Sequence, residues 1–356
     1  MAGVRPFHGF APVSNAPQPK PTAALPDGPD GTDALGILLD LVADDLKAVN
    51  QTIVERMQSP VALIPQLAGH IVAAGGKRLR PLLTLATARM CGHTGNDHVK
   101  LATCVEFIHT ATLLHDDVVD ESDLRRGRDS ANAIWGNKAP VLVGDFLFSR
   151  AFELMVEVGS LPVLAILSRA SSVIAEGEVA QLITANDIDT TEDAYLEVIQ
   201  GKTAELFAAA CKVGGEIACR PAAENAALYD YGNNLGIAFQ LIDDFLDYSA
   251  RQEELGKGVG DDFREGKITL PVILAVQAAS ADERAFWTRT VADLEQTDTD
   301  LAEARALMTR HGTLEATRDR ARLYGTKATA ALTGFPDGAL RDALMGIVDF
   351  CIDRAY

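Results

Sequence analysis

An all-α fold is predicted for this chain by three observations. Apolar or small residues recur every three to four positions, as in Leu38, Leu41, Val42, Leu46 and Val49 and again in Leu101, Val105, Ile108 and Thr112. There is no sustained period-two alternation and no Asn-Gly dipeptide to turn a hairpin. Prolines at 140, 162, 221, 271 and 336 suit interhelical turns or first helical turns, where a missing N–H costs little.

In chain order, residues 1–32 hold seven of the fifteen prolines and little apolar periodicity, so they read as a flexible arm. The arm has no continuous apolar stretch for a secretory signal, and one arginine and one lysine make it a weak transit peptide. From Asp33 onward the helical pattern is nearly continuous, and Ser280-Ala281-Asp282-Glu283 has the form of a capping box. No composition shift or fixed-period repeat divides residues 33–356. They are expected to form one all-α domain, with two acidic helices facing each other across a shared cavity.

Composition narrows the function. A net charge of −18 argues against nucleic acid or an anionic membrane surface as a general partner. Five cysteines, at 91, 104, 211, 219 and 351, form no CxxC pair, and an odd count without a secretory signal points to a reducing cytoplasm. No apolar run is long enough to span a bilayer.

Two acidic segments lie 127 residues apart: Asp116, Asp117 and Asp120 after Phe107–His115, and Asp243, Asp244 and Asp247 after Phe239-Gln240-Leu241-Ile242. Acids at i, i+1 and i+4 fall within roughly one 100° arc of a helix. So close together they repel unless cations lie between them, and hard oxygen ligands with room for a phosphorylated substrate suit Mg²⁺. One such segment reads as well as a solvated acidic face; two with the same spacing point to metal.

Basic residues answer the acidic ones. Gly75-Gly76-Lys77-Arg78-Leu79-Arg80-Pro81 offers three cations beside a glycine break. Arg125-Arg126-Gly127 comes after the first acidic segment, where an arginine pair suits a metal-bridged phosphate. Gly201-Lys202-Thr203 adds an ammonium and a hydroxyl. Lys257 and Lys267 flank a glycine-rich stretch, residues 256–271, that reads as a lid over phosphates. It is no nucleotide P-loop, because GxxxxGK[ST] is absent. His109 lies two turns before Asp116 on the same face, and His115 reads either as an outer support of the site or as structural.

These motifs, in this order, resemble the trans-isoprenyl diphosphate synthases, or polyprenyl synthetases, over about residues 35–356. The resemblance implies an isoprenoid-synthase bundle with a central cavity, a homodimer, and three Mg²⁺ between the aspartate motifs. Asp116, Asp117 and Asp120 would bind two metals, and Asp243 with Asp244 and Asp247 the third. Lys77, Arg80, His109 and Arg126 match positions that hold isopentenyl diphosphate. Arg125, Lys202, Thr203, Gln240, Lys257 and Lys267 match those around the allylic diphosphate. The implied reaction is Mg²⁺-assisted departure of diphosphate from the allylic substrate, then attack of the isopentenyl double bond.

Ile108, Ala111 and Thr112, one to two turns before Asp116, carry no aromatic ring. The whole segment resembles bacterial enzymes that make quinone side chains of about eight to ten isoprene units. Phe146, Phe148 and Phe152 on the next apolar helix read first as ordinary core, with one of them as a tunnel floor as the other reading; product handover to a membrane prenyltransferase completes the expectation, with ubiquinone as the end use. A shorter-chain synthase and a non-catalytic regulatory subunit are the alternative readings.

Overall fold

The computed structural model describes residues 33–73, 76–125, 127–249 and 260–354. The proline-rich arm, Arg126 and Lys257 lie outside the described residues. Helix dominates, as the periodicity predicts. The chain begins with α1 (Ala34–Leu41), α2 (Ala43–Arg56), α3 (Leu63–Ala73), α4 (Leu79–Met90) and α5 (Asp97–Val119). A minimal antiparallel hairpin, β1 (Leu124–Arg125) with β2 (Arg128–Asp129), leads to α6 (Ala131–Trp135). Then come α7 (Lys138–Val158), α8 (Leu161–Thr184) and α9 (Glu192–Ile199). A π-helical segment, Gln200–Ala204, joins α9 to α10 (Glu205–Ile217), and α11 (Ala222–Ser249) is the longest helix described. The remainder is α12 (Asp261–Arg264), α13 (Leu270–Ala278), α14 (Ala281–Trp287), a second π segment (Thr288–Ala292), α15 (Asp300–His311), α16 (Thr313–Ala331) and α17 (Ala339–Asp353).

Local sequence explains the helix ends. Ser160 and Thr191 accept hydrogen bonds from the backbone N–H groups of Val163 and Ala194. The Ser280–Glu283 capping box forms in both directions. Pro140, Pro162 and Pro271 all lie in first turns.

The hairpin at 124–129 has no counterpart in the sequence expectation, which placed an arginine pair there without any strand. Gly127 turns it with a φ of 71°, and two residues per strand are too few to show alternation.

Packing centres on α10 and α11, with α16 along the far side of α11, α4 and α8 against α10, and α5 against α7. Leu82, Leu101, Phe107, Leu147, Phe207, Leu235 and Ile347 are among the side chains in the main core. Each such side chain contributes about 1.5–3 kcal/mol on burial. Small residues set the closest approaches. A Cβ on Gly236 would come within 2.5 Å of Ala204 Cα, and one on Gly177 within 2.6 Å of the Lys202 backbone nitrogen. These contacts clamp the π segment between α8 and α11. A smaller core of Tyr248, Phe263, Val272, Trp287 and Met308 supports α12–α15. Among the described residues, no helix is long and apolar enough to cross a membrane.

Candidate active site

Both acidic motifs lie at the C-terminal ends of their helices: Asp116 and Asp117 in the last turn of α5, Asp120 as its C-cap, and Asp243, Asp244 and Asp247 in the last two turns of α11. The helix dipole is negative there, so carboxylates are unfavourable unless something offsets them. At the first motif, protein cations do. Asp117 is 2% exposed and accepts two bonds from Arg125 Nε, at 2.7 and 2.9 Å, with Nη2 at 2.6 Å. Asp120 lies 3.3 Å from Lys267 Nζ. Asp116 lies 4.0 Å from Lys202 Nζ, which is held more tightly by Glu178 at 2.7 Å. Burial is the largest influence on Asp116 and raises its pKa to about 7, against the opposing pull of Lys202.

The second motif sits among different groups. Asp244, also 2% exposed, accepts from Gln240 Nε2 at 2.8 Å and from the Tyr195 hydroxyl in a short bond. Asp247 accepts from the backbone N–H of Asp262 at 3.3 Å. Burial first, then the nearby Asp262 charge, raises the carboxyls of Asp244 and Asp247 to about 8. Asp243 is paired with Arg354, whose side chain is 4% exposed, donates to the Phe239 carbonyl at 2.9 Å and lies 3.8 Å over the Phe239 ring.

Lys267 stands beside the first motif, with its backbone N–H on the Asp262 carbonyl. Its ammonium bonds Asp120 and Glu265, and the Asp262 charge helps to hold its pKa well above the ordinary lysine value. Thr203 Oγ1 donates to Gln240 Oε1 at 2.9 Å, so the π segment reaches the second motif directly. Arg80 and His109, expected to act together, lie 3.3 Å apart, with the Arg80 guanidinium 4.2 Å over the Phe207 ring. Lys77 lies 4.7 Å over the ring of Phe350 on α17. The sequence-predicted residues within the described structure thus fall into one connected region running from α4 through α5, the π segment and α11 to α12.

Sequence reasoning missed four members of this region. Glu178, Tyr195 and Arg354 stand in ordinary amphipathic runs with no motif around them. Asp262 stands out in sequence only as one acid of the glycine-rich stretch. Gly177, beside Glu178 and unusual in a long helix, was the available signal for a close crossing. Asp117 and Asp244, expected to be ligands like their neighbours, are already bonded to protein donors. Among the described residues, no three acids, histidines or cysteines converge into a ready metal cage.

Ile108 and Ala111 are fully buried on α5, and Thr112 Oγ1 donates to the His109 carbonyl at 2.8 Å. His115 packs into the notch left by Gly144, with its ring stacked near Phe148 and Nε2 3.2 Å from the Val141 carbonyl, which is a structural role. Phe148 and Phe146 are half-buried on α7, whereas Phe152 is 44% exposed and lines no interior wall of this chain.

The polyprenyl synthetase family model matches residues 61–308. Octaprenyl diphosphate synthase of Escherichia coli (strain K12) is 50% identical over 316 residues, covering 88% of this chain and 97% of its own. A decaprenyl diphosphate synthase from Rhodobacter capsulatus is similar in structure, with a TM-score of 0.87 and 55% identity over 90% of this chain and 98% of that one. A polyprenyl synthase from Caulobacter crescentus CB15, complexed with calcium and isoprenyl diphosphate, superposes with a TM-score of 0.88 and 55% identity, again over 90% and 98%.

Proposed function

This chain belongs to the polyprenyl synthetase family, and from that premise we propose that it is a long-chain all-trans-polyprenyl diphosphate synthase. It adds isopentenyl diphosphate repeatedly to an allylic diphosphate such as farnesyl diphosphate. A product of eight to ten units, used as the side chain of ubiquinone, is the reading that best fits its relatives. The observation that carries the proposal is the π segment, which reaches the first acidic motif through Lys202 and the second through Thr203 and Gln240, with Lys267 adding a further diphosphate-type cation at Asp120.

Hard carboxylate oxygens, some held partly protonated by burial first and by neighbouring charge second, fit Mg²⁺ in their donor chemistry once a cation displaces the protons. Mg²⁺ commonly binds through one or two carboxylates plus substrate phosphates, so a preformed protein cage is not needed. Asp116, Asp120, Asp243 and Asp247 are the residues that would hold it, three ions per site being the family expectation. Asp117 and Asp244 would orient the motifs through Arg125, Tyr195 and Gln240. When bound, Mg²⁺ supplies charge neutralisation for the departing diphosphate.

The chain's own groups do the rest. Lys202, Lys267 and Arg125 place positive charge around the allylic diphosphate, with Thr203 and Gln240 fixing its pocket. Arg126 and Lys257 complete the two anion sites by their place in the sequence. Lys77, Arg80 and His109 hold isopentenyl diphosphate. Buried apolar side chains such as Ile108 and Ala111 keep water from the cationic carbon and wall the growing chain. Exposed Leu142 and Val156 on α7 and Leu161, Val179 and Ile183 on α8 are apolar surface suited to a homodimer. Action in the cytoplasm, with product passed to a membrane prenyltransferase, is the matching cellular reading.

Purified protein incubated with Mg²⁺, farnesyl diphosphate and labelled isopentenyl diphosphate tests this directly. Dephosphorylated products sized by chromatography should centre on eight to ten units. Products confined to three or four units would leave a short-chain synthase, and no Mg²⁺-dependent incorporation would leave a non-catalytic subunit.

A further inference from the structure

Tyr195 belongs to none of the motifs, yet its hydroxyl reaches the middle acid of the second one. It lies on α9, is 4% exposed, and donates to Asp244 Oδ2. The other oxygen of Asp244 accepts from Gln240, whose own carbonyl accepts from Thr203. Four side chains thus form a ladder between α11 and the continuous stretch of α9 and the π segment. Tyr195 and Thr203 are on one side, and Gln240 and Asp244, one turn apart on α11, are on the other.

The ladder depends on the π segment. Eight residues of regular α-helix would set Tyr195 and Thr203 about 80° apart around the axis. The extra residue of a π turn rotates the downstream side chains by about 100°. Thr203 thereby returns to within roughly 20° of Tyr195, so both face α11. The shift explains why this segment departs from α-helical geometry at the positions that carry Lys202 and Thr203.

Asp243 and Asp244 are about 100° apart on α11, and Asp244, 2% exposed, is the one turned into the protein. A carboxylate buried there without donors would be costly and would swing toward any available cation. We propose that Tyr195 is a positioning residue for the second acidic motif: with Gln240 it occupies both oxygens of Asp244, fixing the rotation of α11 at which Asp243 and Asp247 face a metal-bound diphosphate. The inference rests on reading that motif as a metal–diphosphate site. Outer partners of this kind typically change metal affinity by about 10- to 100-fold when removed.

The test compares Tyr195→Phe with Tyr229→Phe, which removes a similar phenol–carboxylate bond, to Glu205, outside the site. The readout is Mn²⁺ binding in the presence of inorganic diphosphate, monitored by electron paramagnetic resonance, alongside thermal midpoints. Tyr195→Phe should weaken Mn²⁺ binding about 10- to 100-fold, with KM for isopentenyl diphosphate little changed. Tyr229→Phe should leave Mn²⁺ binding as in the wild type. The double variant Tyr195→Phe/Asp244→Asn should bind no worse than Asp244→Asn alone, because the two residues act in series. Equal Mn²⁺ affinity in wild type and Tyr195→Phe, or losses that multiply in the double variant, would overturn the proposal. A wild-type protein that binds no Mn²⁺ with diphosphate would instead overturn the metal-site reading beneath it.

Discussion

Among the described residues, each acid at Asp116–Asp120 meets a protein cation, whereas at Asp243–Asp247 Asp243 meets one and the other two sit among neutral donors and a further acid. Lys202, Arg125 and Lys267 answer the first motif one to one. In the second, Arg354 pairs with Asp243, but Asp244 is held by a phenol and an amide, Asp247 by a backbone N–H, and Asp262 adds further negative charge. Spacing and helix end are the same in both. The difference teaches that one spacing of acids can be set among charged donors in one place and among largely neutral donors in another. In the first motif, cations that also suit diphosphate keep the acids in place. In the second, burial and like charge raise Asp244 and Asp247 to about 8, as burial raises Asp116 to about 7 in the first.

The comparison can be broken by substitution. Asp116→Ala and Asp243→Ala should each lower kcat/KM by about 10²–10³-fold, the range typical for loss of one preorganised electrostatic group. Steady-state kinetics at saturating Mg²⁺ checks this. Stability should separate the motifs more sharply. Asp117→Asn leaves the Arg125 guanidinium without its carboxylate and should cost roughly 2–3 kcal/mol in metal-free protein. Asp244→Asn removes a buried acid from an acidic neighbourhood, and its cost in urea unfolding should be less than half as large.

The pH dependence comes from the raised carboxyls. Asp244 and Asp247, near 8 in the folded protein against 3.8 ordinarily, keep protons that the unfolded chain has lost. The native state then binds more protons across that window, so its stability falls as pH rises. Metal-free protein should therefore melt at a lower temperature at pH 8 than at pH 5, and Asp247→Asn should flatten the slope. Mg²⁺ with diphosphate should flatten it as well, since metal replaces the protons.

The smallest expected effect concerns the residues upstream of each motif. Before Asp243 stands Phe239, with Arg354 from the end of the chain stacked on its ring; before Asp116 stand small Ala111 and Thr112. Ala111→Tyr should shorten the product with only a modest change in the rate of the first condensation, as product sizing would show. An unchanged length distribution would remove Ala111 as a gate.

Much of this was legible in the sequence, for a physical reason. Helical periodicity and acids at i, i+1 and i+4 are local properties, so the all-α fold and both motifs could be read directly. The cations were legible because glycine and basic clusters mark anion sites. Partners brought in from distant helices were not. Tyr195, Glu178 and Arg354 gain their roles only when α9, α8 and the end of α17 pack beside the motifs. The π segment was invisible because one inserted residue leaves no composition signal, and the 124–129 hairpin because two residues per strand set no period. The inward turn of Asp117 and Asp244 needed the burial of each helix face.

Titration of Mg²⁺ into the protein by calorimetry, with and without inorganic diphosphate, tests the central claim most directly. The account predicts binding at least about tenfold tighter with diphosphate, and Asp243→Ala should lose part of the bound metal. Equal binding without diphosphate, or a stoichiometry untouched by Asp243→Ala, would contradict it.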